Sequence, residues 1–357
     1  MRIVVKIGSN VLTRADGSLD VTRISAIVDQ VAELKRNGSE VILVSSGAVA
    51  SGRKALLPKT KLDVVSARQL FSAIGQVKLL NHYYDFFHQY NIVCGQILAT
   101  KEDFSTRRHY LNQRNCIQVM LENEVIPIIN ENDAISVNEL MFTDNDELSG
   151  LVATMVGADK LIILSNIDGI FTGNPDNDNS RLISEIDVQK DDLSSYIQHS
   201  KSSNGRGGMA TKYNIARKVA EEGIEVVIAN GKAPNILVDL IYHPSNTRCS
   251  RFIPLQQKPS SVKKWIAHSD SFAKGEIYVN EGAKEILLGN KAVSLLMVGV
   301  VRVEGEFEAD DIVKILDENG FLIGVGKTAY GNEKALSLIG KSRSKPIIHY
   351  DYLYIER

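Results

Sequence analysis

Short, wholly apolar runs alternate with longer amphipathic segments through the first two thirds of the chain. RIVVK, VILVS, IVCGQILA, VIPII, KLIILS and VVIA are runs of the kind required by strands buried on both faces. Between the first two, Val21, Ile24, Val28, Val31 and Leu34 recur at helical spacing until Asn37-Gly38 stops them. Apolar strands joined by helix-length connections predict an α/β fold of three layers, α/β/α, with a mostly parallel central sheet. Ligands of such sheets sit beyond the carboxyl ends of the strands, so the strand-end loops are where chemistry is expected.

After about residue 255 the pattern changes. PLQQKPSSVKKW is a polar, proline-bearing connection, and beyond it EIYVN, AVSLL, VVRVEG, DIVKIL and FLIGVGKTAY read as short strands. The expected organisation is one domain over 1–255, then a linker and a small β-rich domain over 256–357. A length of 357 residues suits two domains, and 44% hydrophobic with 24% charged residues is an ordinary soluble composition. A net charge of −2 gives no overall attraction to nucleic acid. No run approaches the roughly 20 apolar residues of a membrane span, and the N-terminus reads as a strand, not a signal peptide. Cys94, Cys116 and Cys249 lack metal-ligand spacing and read as reduced thiols of a cytoplasmic protein; the histidines show no ligand spacing either.

Five strand-end loops carry the polar chemistry. VVKIGSN places Lys6 at a strand end beside Gly8, in neither a Walker A loop nor a dinucleotide motif; by itself it also fits a solvated strand end. SSGAVASG puts Ser45, Ser46 and Gly47 where a strand becomes a helix, a place for an anion on backbone N–H groups or for a plain serine cap. NENDAISVNELMFTDNDELSG gathers Glu131, Asp133, Asp144 and Asp146, which suit a metal, an ammonium group, lysines or simple solvation. LSNIDGIFTGNP offers turn residues for a base and ribose. NGRGGMATK sets three glycines ahead of a helix starting near Met209, with Lys212 in its early turns. Glycines let backbone amides approach phosphates, and the helix start adds partial positive charge.

Together the loops fit phosphoryl transfer, in which lysines and magnesium position and neutralise crowded negative charge. A glutamate-type carboxylate, with a pKa of about 4.3, is already ionised at neutral pH and needs no general base, so the lack of a catalytic histidine is no objection.

VVKIGSNVL, VSSGAVASG, INENDAIS, FTDNDELSG and GRGGMATK, in that order, resemble the amino-acid kinase family. The tail from KKWIAHSDSFAKGEIYVNEGAKEIL resembles the PUA domain appended by the glutamate-phosphorylating branch of that family. The resemblance implies ATP- and Mg2+-dependent phosphorylation of the γ-carboxylate of L-glutamate, the first step of proline synthesis, in a homo-oligomer inhibited by proline. It implies that Lys6 and Lys212 contact the ATP phosphates and the group in flight, and that Asp146 organises both lysines. Ser46, Asp133 and Asn145 would hold glutamate, Asp133 suiting its ammonium and Asn145 a carboxylate. Asp144 is either a further organiser or a solvated neighbour. The implied ATP contacts are Lys6, Ser165, Asn166, Arg206, Gly207, Gly208, Met209, Ala210, Thr211 and Lys212; no metal ligand is assigned.

Two departures from the family pattern leave nucleotide preference open. Ser165-Asn166 stands where Thr-Asp is frequent, and Gly205-Arg206-Gly207-Gly208-Met209 where GTGGM is frequent. The competing readings are a kinase of the same fold with another carboxylate or carbamate acceptor, and an RNA-binding protein, since PUA domains occur in such proteins. Against the latter, Lys263, Lys264, Lys291, Arg302 and Lys314 are mixed with Glu304, Glu306, Glu308, Asp310 and Asp311, and Trp265 reads as a packing anchor. RNA binding by the tail stays open.

Overall fold

All six apolar runs of the first two thirds are strands in the computed structural model. They are β1 (Arg2–Ile7), β2 (Glu40–Ser45), β3 (Cys94–Ala99), β4 (Ile126–Glu131), β5 (Lys160–Ser165) and β7 (Glu225–Asn230). Two further strands, β6 (Glu185–Asp187) and β8 (Cys249–Ile253), complete an eight-stranded sheet in the order β3-β4-β2-β1-β5-β7-β8-β6. These two escape the apolar-run criterion because they are short, polar-bearing strands at the sheet margin. Only the β7–β8 pairing is antiparallel; the other pairs are parallel, as expected of crossover connections.

The structure describes residues 1–105, 107–136, 142, 144–175, 177, 179–191, 193, 208–255, 266, 273–289, 293–341 and 344–355. Arg206, Gly207, Lys263, Lys264, Trp265 and Lys291 lie outside them. The chain forms two compact units, Met1–Thr100 with Arg114–Lys258, and Lys101–Gln113 with Pro259–Arg357.

The helices among the described residues of 1–255 are α1 (Ser9–Leu12), α2 (Val21–Arg36), α3 (Ala48–Ala55), α4 (Val64–His88), α5 (Glu102–Ser105), α6 (Arg107–Glu122), α7 (Asn145–Val156), α8 (Met209–Glu221) and α9 (Ile236–Tyr242). Asp20 caps α2 by accepting from the Arg23 amide at 3.2 Å, and the helix stops at Asn37, followed by Gly38 at φ 81°. Strand side chains alternate, so Ile3, Val5 and Ile7 share one face with Val41, Leu43, Ile162 and Leu164. That face buries Ile24, Val28 and Val31 of α2, Leu79 and Tyr83 of α4, and Leu237 of α9 in one core. On the opposite face α7 packs across β1, β2, β4 and β5, with α8 beside it. The alternation therefore turns Lys6 toward α7. Helices α3 and α4 meet backbone to backbone, at Gly52 and Gly75.

The second unit has its own sheet, β10-β9-β11-β12-β13, from β9 (Gly275–Val279), β10 (Val300–Gly305), β11 (Ile312–Asp317), β12 (Leu322–Thr328) and β13 (Ile348–Ile355). Ile277, Val279, Val313, Ile315, Ile323 and Ile348 fill its separate core. AVSLL is not one of these strands: residues 293–296 contribute a single bridge, Leu295 to Ile348. The actual fifth strand, IHYDYLYI, is an edge strand whose His349–Tyr352 stretch is exposed, which hides it from a search for buried runs. Among the described residues no helix is long and apolar enough to cross a membrane.

Candidate active site

A cleft of about 1220 Å³ lies where the loops at the carboxyl ends of the strands meet. Lys6, Ser46, Asp133, Asn145, Asp146, Ser165, Asn166, Gly208, Met209 and Lys212 all line it, so residues from five separate loops converge on one space.

Its centre is a shared carboxylate. Asp146, in the first turn of α7, is 0% exposed. Its Oδ1 lies 2.6 Å from Lys6 Nζ, and its Oδ2 accepts from Lys212 Nζ at 2.9 Å. Burial works to raise the Asp146 pKa, but the Lys6 and Lys212 ammonium groups outweigh it and hold the carboxyl at about 2. For Lys212, burial opposes the charge while Asp146 sustains it, and the ammonium pKa ends above its ordinary value. Two cations thus share one anion, a set that is formally positive before the neighbouring Asp144 carboxyl is counted. Gly8 permits the arrangement: its amide donates to the Leu164 carbonyl at 3.2 Å, and a β-carbon there would lie 3.1 Å from that oxygen and 3.4 Å from Lys6 Nζ.

Asp144 is the N-cap of α7. Its Oδ1 accepts from the amides of Asp146 at 2.9 Å and Glu147 at 3.2 Å, which fixes the turn that carries Asp146. Asp144 Oδ2 is buried without a hydrogen-bond partner. Burial, and then the Asp146 charge, push the Asp144 carboxyl up to about 7 in spite of the two lysines.

A second polar cluster adjoins the first. The Ser46 amide donates to the Ile7 carbonyl at 3.2 Å, and Gly47 turns the chain into α3 at φ +105°, a conformation that favours glycine. Asn145 Nδ2 donates to Ser46 Oγ and to Asn130 Oδ1, each at 2.9 Å, leaving Asn145 Oδ1 buried and unpaired. The open atom of Asn145 is therefore an acceptor, where the family resemblance implies a donor to a carboxylate. Asp133 also differs from the expectation of a carboxylate waiting for an ammonium, because Arg68 Nη2 already donates to its Oδ1. The same Arg68 nitrogen donates to Glu131 Oε2 at 3.0 Å, and Glu131 Oε1 accepts from the Phe142 amide at 2.9 Å. Burial, then the neighbouring Asp133 charge, raise Glu131 to about 7 against the pull of Arg68.

Arg68 and Asn130 are site residues that loop-based reasoning misses. A signal exists: Arg68, Ser72 and Gln76 repeat every four residues and form a polar stripe on α4. Gln76 Oε1 accepts from Asn130 Nδ2 at 3.0 Å, so the stripe leads to β4.

At the other side of the cleft, Ser165 ends β5 and is buried, while Asn166 is exposed. Helix α8 begins at Met209 as expected, and its N-cap, Gly208, has no side chain to satisfy the N–H groups of Met209, Ala210 and Thr211. A helix start of this kind receives phosphate oxygens. Among the described residues no group of three or more His, Cys, Asp or Glu side chains is arranged to hold a metal.

Residues 1–230 match the amino acid kinase family and residues 275–350 the PUA domain. The chain is 64% identical over 355 residues to a glutamate 5-kinase of Bacteroides thetaiotaomicron, covering 99% of this chain and 98% of that one. It is 46% identical over 360 residues to a glutamate 5-kinase of Chlorobaculum tepidum, covering 99% and 97%. Among solved structures, a carbamate kinase from Giardia lamblia bound to AMP-PNP superimposes with a TM-score of 0.50 at 17% identity, over 71% of this chain and 98% of that one. At that identity the likeness is one of fold.

Proposed function

The chain belongs to the glutamate 5-kinase family of amino acid kinases, with a C-terminal PUA domain, and from that premise we propose that it transfers the γ-phosphoryl group of ATP to the γ-carboxylate of L-glutamate. The product is γ-glutamyl phosphate, and the reaction is the first step of proline biosynthesis. The observation that carries the reading is the pairing of Lys6 and Lys212 on the two oxygens of Asp146.

Phosphoryl transfer between two anions requires fixed positive charge between them. Lys6 and Lys212 supply it without reorganisation, because Asp146 fixes both ammonium groups before substrate arrives. ATP phosphates lie against the start of α8 and these lysines, with Ser165 and Asn166 near the nucleoside. The γ-carboxylate attacks as the ionised group, so no side chain has to remove a proton. Ser46, Asn145 and Asp133 hold glutamate, and the unpaired Asn145 Oδ1 suits a donor on the substrate. Asp144 Oδ2, buried and unpartnered, fits a divalent cation, since magnesium takes one or two carboxylates together with phosphate oxygens. Magnesium held there would offset charge on the phosphates. The same reading includes a cytoplasmic homo-oligomer subject to inhibition by proline, which light scattering and proline titration would test.

The direct test is an acyl-phosphate trap. With Mg-ATP and hydroxylamine, L-glutamate should give hydroxamate at least about tenfold more efficiently than glutarate, which lacks the amine, and more than L-aspartate or N-acetylglutamate. Preference for aspartate or N-acetylglutamate would overturn the acceptor. No hydroxamate from any carboxylate would overturn the reaction and turn attention to RNA binding.

A further inference from the structure

Tyr83 of α4 is 0% exposed and belongs to the apolar core that α2 and α4 form with β1 and β2. Its hydroxyl lies 2.8 Å from Oγ of Ser45, the last residue of β2, which is also 0% exposed. Phenylalanine would fill the same space without a polar atom to desolvate. Resting on the glutamate reading above, we propose that Ser45 and Tyr83 are positioning residues: together they fix the Ser46–Gly47 peptide and so set the affinity for L-glutamate. Neither lines the cleft, so both act through other atoms.

The hydrogens can be assigned. Ser45 Oγ donates to the Ser46 carbonyl at 3.1 Å, and a serine hydroxyl has one hydrogen to give. The phenol of Tyr83 therefore donates to Ser45 Oγ, the assignment in which both hydrogens are used. Burial raises the Tyr83 pKa, so the phenol keeps its hydrogen across the working range.

The peptide ahead of Ser46 is held from elsewhere: the Ser46 amide donates to the Ile7 carbonyl at 3.2 Å, and the Ser45 carbonyl accepts from Asn145 Nδ2 at 3.3 Å. The peptide after Ser46 leads into Gly47 at φ 105°, ψ −5°, and glycine restrains its own backbone least of all residues. The bond from Ser45 Oγ supplies the missing restraint. In a trans peptide the carbonyl and the following N–H point in opposite directions, so a Ser46 carbonyl drawn to Ser45 turns the Gly47 N–H away from the core. Ser46, Gly47 and Ala48 line the cleft, and Gly47 has no side chain to cap α3, so the amides of this turn are donors for an anionic group of the substrate.

The experiment measures kcat and KM for L-glutamate and ATP by hydroxamate formation, together with urea melts, in the full-length wild type, Ser45→Ala, Tyr83→Phe and the double variant. Ser45→Ala should raise the KM for L-glutamate at least about fivefold and Tyr83→Phe about threefold, the range of one neutral hydrogen bond, with kcat and the KM for ATP within about twofold. Because both residues act through one carbonyl, the double variant should match Ser45→Ala instead of multiplying the two effects. A lowered urea midpoint with an unchanged KM for L-glutamate would show a structural role only and overturn the proposal. So would multiplied effects in the double variant, or equal changes in the KM values for L-glutamate and ATP. If Ser45→Ala loses its cooperative melt, Tyr83→Phe, which keeps the shape of the core, decides by its KM for L-glutamate. Wild-type turnover of L-glutamate tests the kinase reading alone: inactivity there overturns both, and with an active wild type only the variants bear on Ser45 and Tyr83.

Discussion

Gly75 of α4 rests directly on the backbone of Gly52 in α3: a β-carbon on Gly75 would lie 2.5 Å from the Gly52 amide nitrogen and 1.8 Å from the Ala48 carbonyl oxygen. The reciprocal β-carbon on Gly52 would lie 1.8 Å from the Phe71 carbonyl oxygen. Backbone cannot yield as a flexible side chain can. The helix that follows Ser46 and the helix that carries Arg68 are thereby fixed as one piece.

Glycine to alanine inside a helix ordinarily stabilises by about 0.5–1 kcal/mol. Gly75→Ala should do the reverse, lowering unfolding free energy by at least about 2 kcal/mol through forced separation of α3 and α4. A urea melt measures it. A neutral or stabilising outcome would mean that the two helices separate at little cost.

Removing either lysine should be severe for turnover. Lys6→Met and Lys212→Met retain length without charge and should each reduce kcat at least about a hundredfold, the usual effect of losing one preorganised charge-stabilising donor. Asp146→Asn should also impair turnover, since two neighbouring ammonium groups would lose the anion between them. Near-normal turnover by a folded lysine variant would remove that lysine from the mechanism.

Asp144 yields a pH signature. Its carboxyl is pushed from the ordinary 3.8 up to about 7 by burial and by Asp146. Between those values the folded chain keeps a proton that the unfolded chain releases, so Asp144 makes stability fall as pH rises through this window. Asn caps a helix as well as Asp but does not titrate. Asp144→Asn should match the wild type near pH 4 and exceed it at pH 8 by at least about 1 kcal/mol, the equivalent of less than one unit of pKa shift. Parallel stability profiles from denaturant titrations at the two pH values would refute this.

The central strands were legible because burial on both faces demands uninterrupted apolar residues, and the margins were not because that demand is absent at Glu185–Asp187 and His349–Tyr352. Lys6 and Lys212 stood out by their places at a strand end and an early helix turn, whereas the role of Asp146 between them was implied only by the family resemblance. Arg68 was not legible, since it lies within a long helix and the acids it meets, Glu131 and Asp133, are 63 and 65 residues away. Asp144 stayed undecided between an organiser and a solvated neighbour, because its cap role and its unpartnered oxygen depend on where α7 starts and how it is buried. Sequence pattern reports each element's own periodicity; it does not report which polar faces meet.

The division of one carboxylate between Lys6 and Lys212 also has a consequence in time. During synthesis the first lysine emerges almost at once, the aspartate much later, and the second lysine only after the strand β5 and the loops that follow it. Until α8 docks, Asp146 has one cation instead of two. A partly made chain therefore lacks the paired ammonium groups, and ATP that reaches its unfinished cleft meets an incomplete electrostatic partner.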